Sequence, residues 1–140
     1  MHLLAEAKLS PELRNEALYY RAKAYTKQKA DKKAMEDYRE LAKDTRNSYG
    51  AEAKYQVAQS LYDAKEYAAA EKELLNYIEQ STPHAYWLAR SFILLSDVYH
   101  ATGKNLDARQ YLLSLQQNYQ GNDDIESMIE SRLSKLKVEN

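Results

Sequence analysis

Cysteine is absent from the 140 residues, which excludes disulfides, thiolate zinc sites and cysteine nucleophiles together. It leaves the compartment open, since a Cys-free chain suits cytosol and periplasm alike. Glycine occurs three times and proline twice, too few turn formers for a β-sandwich or a doubly wound α/β domain. No apolar run approaches the ~18 residues of a membrane span; the longest run of large apolar side chains is Phe92-Ile93-Leu94-Leu95. Neither sign of charge is in excess: 20 Lys and Arg stand against 21 Asp and Glu, a formal net charge of −1. A nucleic-acid binder would carry a clear positive surplus. The opening Met1-His2-Leu3-Leu4-Ala5-Glu6 has no basic start followed by a long apolar stretch, so no signal peptide is read there.

What is present is helix-forming: Ala, Leu, Lys, Glu, Gln and Arg dominate, and the expected fold is all-α. Tyrosine is the outlier, with 13 residues against one Trp and one Phe. Laid over itself, the chain repeats. Ala22, Tyr25, Ala34, Tyr38 and Leu41 are matched by Ala58, Leu61, Ala70, Leu74 and Tyr77, and again by Ser96, Tyr99, Ala108, Leu112 and Leu115. The internal spacings of 3, 9, 4 and 3 are the same in all three sets, at offsets of 36 and 38 residues. Positions i and i+3, or i, i+4 and i+7, share one helical face. The nine-residue gap holds the break, so each copy reads as a helical hairpin with small residues where the helices cross.

Caps place the boundaries. Ser10-Pro11-Glu12 reads as N-cap, N1 proline and acidic first turn, and Thr82-Pro83 repeats the device. Asp31 and Asn105 can cap second helices, and Asp123-x-x-Glu126 resembles a capping box after the stop at Gly121. The predicted helices are roughly 11–28, 31–45, 48–64, 66–81, 83–102, 105–119 and 124–137, about seven in one domain spanning 1–140. They form hairpins at 11–45, 48–81 and 83–119. The last helix breaks the repeat: Ile125, Met128, Ile129, Leu133 and Leu136 make one stripe that covers the end of the third hairpin. Residues 1–10, with Leu3, Leu4, Ala7 and Leu9, read as the remnant of a preceding repeat, as if the chain were part of a longer protein.

These spacings resemble the tetratricopeptide repeat (TPR) family. The residues that carry the resemblance are Val57-Ala58-x-x-Leu61, Leu95-Ser96-x-x-Tyr99, Ala34-x-x-x-Tyr38, Ala70-x-x-x-Leu74 and Ala108-x-x-x-Leu112, over about 15–119. Arg21, and Leu41, Tyr77 and Leu115, depart from the family pattern, and the periods exceed the usual 34. The long periods and Ala-rich helix starts are similar to TPR proteins of the bacterial envelope, periplasmic or outer-membrane associated. The resemblance implies an α-solenoid whose first helices line a concave groove for a partner protein or peptide.

No residue pattern points to catalysis, a cofactor or a metal. His2, His84 and His100 lack paired spacing, and Asp97 with His100 at i, i+3 finds no third ligand. The glycines lie in separate places, so there is no phosphate loop. Lys27, Lys29, Lys32 and Lys33 form a solvated hairpin tip that can also meet an anionic surface. Tyr25, Tyr38, Tyr77 and Tyr99 occupy repeat positions and belong to the core. The implied groove carries Tyr19, Lys23, Tyr55, Gln59, Tyr62, Arg90, Asp97 and His100, with Glu16, Thr26, Lys27, Glu52, Asp63 and Ile93 around them. Tyrosines among both signs of charge suit a peptide or helix, because Tyr offers large contact area at little entropy cost. That reading requires Tyr19, Tyr55 and Tyr62 to be exposed. The expected function is a non-enzymatic interaction scaffold without nucleic-acid binding or membrane insertion. The competing reading is a structural spacer, or a segment that self-associates through its uncapped N-terminal end, in a longer repeat protein with no groove ligand.

Overall fold

A helix with too few tertiary partners does not persist in water, so packing, more than propensity, decides where each segment stops. The structure, a computed structural model, describes residues 10–137. The reading of residues 1–10 as a preceding repeat therefore lies, for 1–9, outside the described residues. Among the described residues seven helices follow in order: α1 Pro11–Lys27, α2 Asp31–Leu41, α3 Ser48–Asp63, α4 Tyr67–Glu79, α5 Ala85–Ala101, α6 Asn105–Asn118 and α7 Ile125–Lys137. The described residues contain no strand. The fold is all-α, with neighbouring helices packed together as the repeat predicts.

The repeat is visible in the backbone of the hairpin turns. Lys29, Lys65 and Gly103 share the left-handed conformation, with φ of 60°, 61° and 79°. Behind each, the same long bond closes the first helix: Ala30 N–H to Tyr25 C=O at 2.8 Å, Glu66 to Leu61 at 2.9 Å, and Lys104 to Tyr99 at 2.8 Å. These are Schellman-type ends, in which a left-handed residue lets the chain fold back on orphan carbonyls. Ala30, Glu66 and Lys104 then start the second helices with nearly equal dihedrals and no side-chain cap. The expected caps at Asp31 and Asn105 are thus corrected: both residues already lie inside their helices, and the turn itself supplies the geometry.

Two other caps are also revised. Ser10 does cap α1, accepting from Leu13 N–H at 3.3 Å with Pro11 following. Thr82 instead accepts from His84 N–H at 3.3 Å, and α5 begins only at Ala85, beyond Pro83. Asp123 Oδ1 accepts from Ile125 N–H at 3.0 Å, a turn two residues long leading into α7. Helix α2 stops at Leu41, short of the expected 45. There Asp44 Oδ1 accepts from Arg46 N–H at 3.0 Å, a local bond that competes with continuing the helix.

The chain forms two compact units, divided between Val57 and Ala58. In the first, α1 packs on α2 around Leu18, Ala22, Ala34, Tyr38 and Leu41, all buried. Arg21, where the repeat would place an apolar residue, makes two bonds to the buried Asp37 carboxylate, 2.8 and 2.6 Å. Those bonds raise the guanidinium pKa against the cost of burying it. Asn47 accepts from Gly50 N–H at 2.8 Å and donates to Asp44 C=O at 3.0 Å, which seats the start of α3. A Cβ on Gly50 would lie 1.8 Å from the Asp44 carbonyl oxygen, so this glycine is a point of backbone approach and not a loose linker residue.

In the second unit α5 packs on α4 and α6, and α7 lies against α5 and α6. Ala70, Leu74, Tyr77, Leu95, Ala108, Leu112 and Ile125 are completely buried. Ser96, a small repeat residue, donates to Ala108 C=O at 3.1 Å, tying the two crossing positions of the third hairpin. From the α7 stripe Ile125, Ile129 and Leu136 are buried, while Met128 and Leu133 are half-buried. Of the expected core tyrosines, Tyr38, Tyr77 and Tyr99 are buried, whereas Tyr25 is half-buried, with Arg21 and Lys33 each 5.8 Å from its ring centroid. Tyr99 draws on Glu71: burial and then the Glu71 hydrogen bond raise its phenol pKa.

Candidate functional site

Side chains on the first helix of a hairpin reach a common space only where their positions repeat at one to two turns, since 3.6 residues bring the same face round again. Gln59 and Tyr62 on α3 and Ser96, Asp97 and His100 on α5 meet this condition. They line one cleft of about 330 Å³ with Arg132, Lys135 and Leu136 from α7. A space of that size lies at the small end of ligand sites and suits a few side chains better than a large cofactor.

Charge organises the cleft. Arg132 grips Asp97 through Nε, 3.1 Å from Oδ1, and through a terminal nitrogen 3.3 Å from Oδ2, and it donates to Met128 C=O at 3.4 Å. Burial raises the Asp97 pKa, and the hydrogen bonds and charge of Arg132 only partly oppose that rise. Burial likewise raises the Tyr62 phenol, reinforced by the Asp97 charge. Tyr62 stands edge-on to Tyr67, with centroids 5.6 Å apart. Gln59 donates to Asp63 at 2.8 Å, and His100 Nδ1 lies 2.8 Å from Asn105 Oδ1. Lys135 is exposed. Among the described residues no group of three or more His, Asp or Glu is placed to hold a metal ion, and no helix is long and apolar enough to cross a membrane.

The other predicted site residues lie elsewhere. Tyr19 donates to Glu52 Oε1 at 2.9 Å, and Lys23 donates to Glu52 Oε2 at 2.7 Å while standing 5.1 Å over the Tyr19 ring. Burial opposes the Lys23 charge, yet the bond to Glu52 leaves its pKa raised. Tyr19 also packs on Tyr20 and Tyr49, at 5.3 and 4.7 Å between centroids. Arg90 accepts no place in the cleft: it donates to Tyr86 Oη at 2.9 Å and lies 5.9 Å from the Trp87 ring centroid, and Tyr86 in turn donates to Asp124 at 3.0 Å.

Three expectations of exposure are overturned. Tyr55 is only 6% exposed, Glu52 8% and Ile93 1%. A face that reads as free from the spacing along one helix is thus covered in the folded chain. Reading from sequence also missed Arg132 and Lys135. They flank the apolar stripe of α7, and the only signal for them was their place beside Leu133 and Leu136. Comparison with protein-family models, curated proteins and solved structures finds no match to this chain.

Proposed function

We propose that the chain is a non-enzymatic interaction module of the TPR kind, and that it holds a peptide or protein segment in the cleft of its second unit. The reading is supported by one observation: Gln59, Tyr62, Asp97 and His100, selected on first-helix positions, meet in one polar cleft. Tyr62 supplies an aromatic surface beside charged groups, the mixture that concentrates energy at protein interfaces. The ion pair Asp97–Arg132 fixes the walls, so a partner meets an ordered surface and loses less entropy on binding.

A library of displayed peptides, selected on the full chain, tests this reading. Peptides should be recovered, and Tyr62→Ala should weaken them at least tenfold, about 1.4 kcal/mol, with helical circular dichroism unchanged. No recovered peptide, or binding indifferent to Tyr62→Ala, overturns it. The spacer reading has its own support in the first unit, where Tyr19, Lys23 and Glu52 satisfy one another.

A further inference from the structure

Within the cleft, Asp97 and Arg132 neutralise each other at hydrogen-bond distance. Lys135 is exposed, and its charge reaches Asp97 from beside Arg132. With one aspartate, one arginine and one lysine, the lining carries a net positive charge of one. We infer that the cleft takes the side-chain carboxylate of an aspartate or glutamate in an extended peptide, bound by Lys135 beside the Asp97–Arg132 pair. The inference rests on the peptide-binding reading above and names the chemistry of the residue recognised.

Three features select this ligand. A single carboxylate matches the one net positive charge of the lining, whereas a phosphate dianion would bring a surplus negative charge against Asp97. The lining positions of α3, α5 and α7 all lie beyond the first turn of their helices. Their N–H groups are therefore spent on the helix, and no cluster of free backbone donors is on offer. A chain-terminal carboxylate is typically captured by such clusters, while a lysine binds a side-chain carboxylate as a point charge. The Tyr62 ring and Leu136 supply apolar surface for the methylene stem of the acidic residue.

The test uses peptides displayed through their C-termini, so that no free terminal carboxylate takes part in selection, followed by synthesis as C-terminal amides. Fluorescence anisotropy then measures each peptide against the full chain and against Lys135→Met. An Asp or Glu should recur in the selected peptides. Replacing it by Asn or Gln should weaken binding about tenfold on the unaltered protein and less than twofold on Lys135→Met, the coupling that a double-mutant cycle isolates. Several results would overturn the inference while leaving the peptide reading in place. They are Tyr62-dependent peptides that tolerate loss of the acid, tolerance of Lys135→Met, tighter binding when phosphoserine replaces the acid, or binding only by peptides with a free C-terminus. Failure to recover any peptide, or indifference to Tyr62→Ala, would overturn both.

Discussion

Lys29 and Lys65 pay a conformational penalty that Gly103 avoids. A non-glycine residue in the left-handed region costs roughly 1–2 kcal/mol, because its Cβ crowds the following carbonyl. The turns hold all three positions at φ between 60° and 79°. Lys65→Gly should therefore stabilise the protein by about 0.5–1 kcal/mol, the relief being partly offset by the greater freedom of glycine in the unfolded chain. Chemical denaturation midpoints measure it; an unchanged or lower midpoint would mean that the turn does not constrain Lys65. Tyr77 makes a different residue-scale statement. It is completely buried, and burial pushes its phenol up to about 12, with Thr82 acting weakly in the other direction. A folded pKa above the unfolded value of about 10 favours the neutral phenol in the native state. That stability, about 3 kcal/mol, is fully present below pH 10 and is lost as pH rises from 10 toward 12. Phenolate absorbance from Tyr77 should thus appear together with loss of helicity, and Tyr77→Phe should remove that part of the alkaline transition.

At the scale of elements, the joint between α2 and α3 depends on a missing side chain. Gly50 brings α3 against the Asp44 and Leu41 carbonyls, where a Cβ would sit 1.8 and 2.8 Å from oxygen. Backbone cannot rotate aside as a side chain does. Gly50→Ala should cost about 1–3 kcal/mol through overpacking. Gly121→Ala is the matched control, since the atoms nearest its added Cβ belong to the Tyr119 side chain, which can turn away. Equal effects on the two thermal midpoints would disprove the backbone-approach account. The same scale shows what was legible in advance. Spacings of 3, 9, 4 and 3 located every hairpin turn, because helical periodicity is a local property of the chain. Asp31 and Asn105 misled as caps because a Schellman turn can start the next helix without a side chain. Glu71, a surface position by its spacing, is engaged by Tyr99, a pairing that no local pattern announces.

For the molecule as a whole, the C-terminal helix has two roles at once. Ile125, Ile129 and Leu136 bury themselves in the second unit, and Arg132 and Lys135 complete the cleft. Deleting residues 123–140 should leave helical circular dichroism from the hairpins while exposing the apolar surface of α5 and α6. Self-association should follow, visible by sedimentation, because exposed apolar patches of this kind drive aggregation. A truncated chain that stays monomeric and equally stable would show that the stripe does not cover core. Tyr62-dependent binding should also weaken in the truncated chain, since one wall of the cleft goes with the helix.

By itself, the sequence determined the helical class, the seven helices of the described residues, the position of the hairpin turns and most of the core. All of these follow from composition and from 3.6-residue periodicity, which act over one or two turns. Only the tertiary structure decided which polar faces stay open. The grip of Glu52 on Tyr19 and Lys23 and the meeting of Asp97 with Arg132 across 35 residues depend on helices distant in sequence, and the burial of Tyr55, Glu52 and Ile93 exists only in the folded chain. A side chain's exposure is set by whatever packs over it, and the pattern along one helix carries no record of its neighbour.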